Sequence, residues 1–149
     1  MLINLYNTEQ CISLSCDSFN TIRQVVADLM GPQVGSDFKS MQNAARIYAT
    51  GCWDKLMPDS YEKFSQRMAW GMRQHILLDQ IDADIIDFLM QPDTTSEISY
   101  ATVKKLSDIL PVLKSADTAC EDSDMNRFRT ILQDCCNRNE NLRWSKGVD

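Results

Sequence analysis

The chain has 149 residues, 44% of them apolar and 24% charged, and a formal net charge of −6. That is enough chain to bury a core without disulfide or metal support, and the composition is globular rather than disordered. The acidic balance disfavours nucleic acid and anionic membranes as partners, because both call for a basic face, and no stretch reaches the ~18 apolar residues of a membrane span.

At the N-terminus, Met1-Leu-Ile-Asn-Leu-Tyr-Asn-Thr-Glu has no basic region and too short an apolar run for a secretory signal. Leu2, Leu5 and Ile12 are only weakly periodic, so residues 1–18 carry no firm element. Ile22, Val25, Val26, Leu29 and Met30 then fall at helical spacing over 19–31, with Ser18 as N-cap and Gly31-Pro32 as the stop. A second helix is predicted over 36–50, capped by Ser36-Asp37, with Phe38, Met41, Ala44, Ala45 and Tyr48 on one face. Cys52 to Met68 reads as helical, divided or kinked at Pro58. From Trp70 to Met90 the spacing of Ile76, Leu77, Ile81, Ile85, Phe88 and Leu89 predicts one continuous helix.

Pro92-Asp-Thr-Thr-Ser reads as a loop, with Thr94 and Glu97 in a capping-box relation, and Thr95 and Ser96 as competing caps, ahead of a helix running to Leu110. Pro111 suits the first turn of the next helix, and Asp117–Asp124 reads as an acidic loop. Met125, Phe128, Ile131, Leu132 and Cys135 mark a last helix to about Asn137, and 138–149 reads as a polar tail. No alternating strand run stands out beyond the first few residues. The expectation is one all-α domain over 1–149, a bundle of about seven or eight helices around a central helix.

The residue inventory points away from catalysis. Six cysteines without a secretory signal suggest reduced thiols in a cytoplasmic protein, and adjacent Cys135-Cys136 is not a metal-binding spacing. His75 is the single histidine; pairing it with Cys52 or Cys120 lacks any context that would activate a thiol. The five glycines form no phosphate-cradling loop. No catalytic, cofactor-binding or metal-ligating residue is assigned.

One stretch departs from generic helix composition: Glu62-Lys-Phe-Ser-Gln-Arg-Met-Ala-Trp-Gly71. With Glu62, Phe64, Met68, Trp70 and Gly71 in place, it resembles the first homology motif of the B-cell lymphoma 2 (Bcl-2) family of cell-death regulators. Thr50-Gly-Cys-Trp53-Asp-Lys-Leu56 resembles the family's entry to its fourth helix, and Ala27-Asp28 lies at the spacing of the third motif, with no gap from residue 19 to residue 71. Leu110-Pro111-Val-Leu113 is similar to the start of the second motif. Arg23 stands where the third motif has leucine, and Met72 where the family has its ligand-pairing arginine, with Arg73 next to it.

The resemblance implies an inhibitor of apoptosis that holds the death-promoting helix of a pro-apoptotic partner (Bim-, Bak- or Bax-type) in an apolar groove. The implied groove is Met30, Val34, Phe38, Met41, Met57, Tyr61, Phe64, Ala69, Gly71, Met72 and Arg73, with Trp70 as a structural anchor. Eroded motifs and a missing membrane tail are what a divergent viral member would show, acting in the host cytoplasm and reaching mitochondria through its partners. The alternatives are a viral homodimer of the same fold that inhibits innate signalling, and an unrelated helical adaptor. No nucleic acid, cofactor or stable membrane insertion is expected.

Overall fold

The structure is a computed structural model, and it describes residues 2–49, 66, 70–71, 82–91, 95–110 and 121–147. The all-helical expectation is overturned. The described residues form a mixed α/β fold with five helices and a four-stranded antiparallel sheet. In chain order they are β1 (Leu2–Tyr6), β2 (Cys11–Ser15), α1 (Cys16–Leu29), α2 (Pro32–Ala49), α3 (Ala83–Met90), β3 (Thr95–Ile98), α4 (Tyr100–Ile109), α5 (Glu121–Arg138) and β4 (Leu142–Lys146). The chain divides into two compact units, one of Met1–Arg23 with Gln91–Asp149, the other of Gln24–Met90.

The first unit is built on the sheet, whose order is β2-β1-β4-β3. Each strand alternates as a half-buried strand must. Ile3 and Leu5 of β1, Leu14 of β2, Leu142 and Trp144 of β4 and Ile98 of β3 are buried. The register sets Ile3 opposite Leu14, Leu5 opposite both Ile12 and Trp144, and Ile98 opposite Leu142. Of the intervening residues, Arg143, Glu97 and Thr95 are exposed, while Asn4, Ser13 and Ser145 are half-buried. Phe19 of α1 and Phe128 of α5 complete an aromatic cluster. Phe19 meets Trp144 edge-on at 5.3 Å and Phe128 at 6.4 Å. Val103 and Leu106 of α4 and Met125, Ile131, Leu132 and Cys135 of α5 are buried with them.

The strand at 142–146 lies where a polar tail is expected, and the hairpin lies where the sequence offers no firm element. Two capping assignments also move. Ser15, not Ser18, receives the backbone N–H at the start of α1, while the Ser18 hydroxyl donates to Asp124 at 2.7 Å. Ser99 caps α4 by accepting from the Thr102 backbone, and Glu97 sits within β3 instead of closing a capping box.

In the second unit α1 and α2 meet at a tight corner. Gly31 takes φ +121°, a conformation that side chains resist. Pro32 then opens α2, four residues before the expected cap at Ser36, because proline's missing N–H is harmless in a first turn. Gly35 lies against Asp28. A Cβ there would overlap the Asp28 carboxylate and come within 3.2 Å of its Cα, and the Gln24 amide donates to both Asp28 and the Gly35 carbonyl at 2.9 Å. Gly35→Ala has to swing the Asp28 carboxylate off Gln24 and press on the Asp28 backbone, so it is expected to forfeit the ~1 kcal/mol that alanine otherwise gains over glycine within a helix, read as a urea midpoint no higher than that of the wild type; Gly71→Ala, where the added Cβ meets only ordinary contact, is the control.

The predicted continuous helix over 70–90 is interrupted at Asp82. Its side chain accepts from the Asp84 N–H at 2.8 Å, the geometry of an N-cap, and starts α3 anew. Ile85, Ile86, Phe88 and Leu89 of α3 are buried, as are Val26 and Ala27 of α1 and Val34, Phe38, Met41 and Ala44 of α2. Residues 72–81, which include His75, and the segments 50–65 and 111–120 lie outside the described residues.

Candidate functional site

The expected groove is only partly within the described residues. Val34, Phe38 and Met41 form one stripe of α2 and are 2%, 1% and 7% exposed. They are core side chains, not the floor of an open groove. Met30 is half-buried just past α1, and Gly71 is helical and half-buried near Asp37 of α2. Met57, Tyr61, Phe64, Ala69, Met72 and Arg73 lie outside the described residues. Trp70 does not fit the role of core anchor, because 68% of its surface is exposed. Leu29 and Leu2 are the other exposed large apolar residues described, at 47% and 40%.

Arg23 has a role that sequence reading missed. It is 3% exposed, its guanidinium lies 5.3 Å from the centre of the Phe19 ring, and Nη2 donates to the Gln91 carbonyl. An arginine in an otherwise apolar helical stripe was the available signal. It marks a buried cation with partners inside the first unit.

The first unit also carries a polar constellation at the turn end of the sheet. Residues 7–10 join β1 to β2. The Asn7 side-chain oxygen accepts from the Glu9 and Gln10 backbones at 2.9 and 2.7 Å, an Asx turn. Its amide donates to Asp134 at 2.7 Å and to the Cys135 sulfur at 3.5 Å. Thr8 donates to Glu140 through both its backbone N–H and its hydroxyl. Across the sheet, Glu97 accepts from Asn141 at 3.0 Å and Arg143 at 3.1 Å. Those two, the Asn141 amide first, hold the Glu97 carboxyl below the usual carboxylate range.

Helix α5 ends here in a Schellman motif. The Glu140 N–H bonds the Cys135 carbonyl at 2.9 Å, the Asn139 N–H bonds that of Cys136 at 3.3 Å, and Asn139 takes φ 56°. Tyr6, Asn7, Thr8, Asn139, Glu140, Asn141 and Arg143 surround a cavity of about 310 Å³.

The thiols nearby are poorly suited to nucleophilic chemistry. Burial pushes the Cys135 thiol above its ordinary value of 9.0, against the Asn7 hydrogen bond and with the Asp134 and Glu140 carboxylates adding to the rise. Burial likewise raises Cys136. A thiol held protonated is inert. Among the described cysteines, exposed Cys11 is therefore expected to alkylate first in the native protein, with Cys135 protected until unfolding, as site-resolved mass spectrometry would read. Because the folded value exceeds the unfolded one, the stability Cys135 contributes is full below pH 9.0 and is lost as the pH rises through the folded value.

Among the described residues no group of three His, Cys, Asp or Glu side chains could hold a metal ion, and no helix is long and apolar enough to cross a membrane. No family model, curated protein or solved structure matches the chain.

Proposed function

We propose that the chain is a non-catalytic protein-binding module that takes an amphipathic partner helix on the surface around Trp70. The observation that supports this is the 68% exposure of Trp70. Tryptophan is among the residues most enriched where binding energy concentrates, because a large flat apolar surface loses little conformational entropy on contact.

Death-promoting helices of Bim, Bak or Bax type are the first candidates, on the strength of the motif order over residues 19–71. The four-stranded sheet withdraws the support that a shared helical-bundle architecture would have lent them. The test is a titration of labelled death-promoting helices and of unrelated amphipathic helices of equal charge. Saturable binding of one helix, weakened about 30-fold or more by Trp70→Ala at unchanged melting temperature, is the expected result. Absence of binding by every helix, or an affinity indifferent to Trp70→Ala, would overturn the reading.

A further inference from the structure

The cavity at the turn end of the sheet lies in the first unit and is distinct from the Trp70 surface. Its volume, about 310 Å³, falls at the lower end of the ~300–1,000 Å³ typical of small-molecule sites. Its lining divides into two sets. Asn7, Thr8 and Asn141 are committed to the protein itself. Asn7 uses both ends of its amide, Thr8 donates twice to Glu140, and Asn141 accepts from the Tyr100 backbone at 2.8 Å while donating to Glu97.

The second set keeps hydrogen-bonding capacity in hand. The Tyr6 hydroxyl and the Asn139 side-chain amide have no hydrogen-bond partner among the described residues. Arg143 engages Glu97 only through Nε, which leaves both terminal nitrogens. Each Glu140 oxygen accepts one bond from Thr8 and retains a lone pair.

Asn139 is informative in a second way. Its left-handed conformation is fixed by the end of α5, and glycine would adopt it at lower cost. The amide therefore adds recognition capacity that the fold does not use.

The charges of the lining argue against an ionic ligand. It holds one guanidinium and one carboxylate, the guanidinium already lies against Glu97 at 3.1 Å, and the chain as a whole carries −6. An anion meets a net repulsive field there, and a cation finds a single lining carboxylate, Glu140, each of whose oxygens already accepts a bond from Thr8. What remains is a mixture of planar donors and acceptors beside one aromatic ring. That set matches a rigid ligand with adjacent hydroxyls, each able to donate and accept, and one apolar flank.

We propose that this cavity binds a neutral polyhydroxylated ligand, a single sugar ring or cyclic polyol, with Asn139, Glu140 and Arg143 sharing its hydroxyls and Tyr6 closing on its flank. An open polar site that competes with water binds weakly, with a dissociation constant on the order of millimolar.

The experiment is an amide-resolved NMR titration of the whole chain with a panel of neutral monosaccharides and inositols, with glycine and acetate as the zwitterionic and anionic arms. The expected result is saturable shifts from at least one neutral ligand, centred on the amides of Thr8, Asn139, Glu140 and Arg143. Asn139→Gly should weaken that binding about tenfold or more while the melting temperature holds or rises, because glycine suits the helix end. Tyr6→Phe, which keeps the ring on the flank and removes only the hydroxyl, should weaken it less than Asn139→Gly does, with the fold intact. The proposal is overturned if no neutral ligand saturates, if glycine or acetate binds as well as the best of them, or if Asn139→Gly leaves the affinity unchanged.

Discussion

Replacing Trp144 by alanine is expected to cost about 3–5 kcal/mol, a large part of the ~5–15 kcal/mol that holds a domain of this size together. Trp144 is 0% exposed, it packs edge-on to Phe19 at 5.3 Å, and its strand lies between β1 and β3. The substitution removes the largest fully buried side chain among the described residues, and the two strands that flank it restrain how far the space can collapse. A urea denaturation curve should show the midpoint falling steeply. Trp144→Phe should lose less, because an aromatic ring still faces Phe19. Trp70→Ala is the contrast. A side chain 68% exposed contributes little to folding, so its removal should leave the midpoint nearly unchanged. Equal effects from the two alanine substitutions would contradict the core described above.

The second large effect belongs to Arg23. Arg23→Ala is expected to cost about 2–4 kcal/mol, combining a charge-assisted hydrogen bond, a cation–π contact and the packing of the stem. At 3% exposure the site gives water little access to replace the donor to the Gln91 carbonyl. Arg23→Leu keeps apolar volume and so should lose less than alanine, although the carbonyl still lacks that donor. A double-mutant cycle with Phe19→Leu isolates the ring contact, because the two groups lie 5.3 Å apart and should couple. An Arg23→Ala protein within ~0.5 kcal/mol of the wild type would show that the guanidinium has no such role.

The helices were legible where their apolar stripes were long. The stripe from Ile22 to Met30 and that from Met125 to Cys135 each locate a helix to within a few residues of its ends. The strands were not, and the reason is their length. Cys-Ile-Ser-Leu-Ser at 11–15 and Leu-Arg-Trp-Ser-Lys at 142–146 do alternate, but each shows only two apolar positions. Two alternations fit a strand, a loop or a helix end equally well. At 95–98 only Ile98 is apolar, and the hydroxyls of Thr95 and Ser96 suit a helix cap as well as an edge strand.

What identifies these segments as strands is their pairing with one another, and β1 and β4 are partners from opposite ends of the sequence. The groove was read through a family pattern, and that pattern placed Phe38 and Met41 on a binding surface when their stripe is core. Nothing in the sequence singled out the polar cavity, because its residues come from a turn, a helix end and two strands.

The position of β4 has a consequence for how the chain is made. It is an inner strand of the sheet, bonded to β1 on one side and β3 on the other, and Gly147 closes onto the Leu2 carbonyl at 2.7 Å. On the ribosome, β1 emerges long before β4. The amino-terminal hairpin must therefore wait, with one edge of β1 unpaired, until residue 146 has cleared the exit tunnel. During that interval the face that Trp144 will cover is open to other nascent chains. The exposure ends only when the last strand inserts.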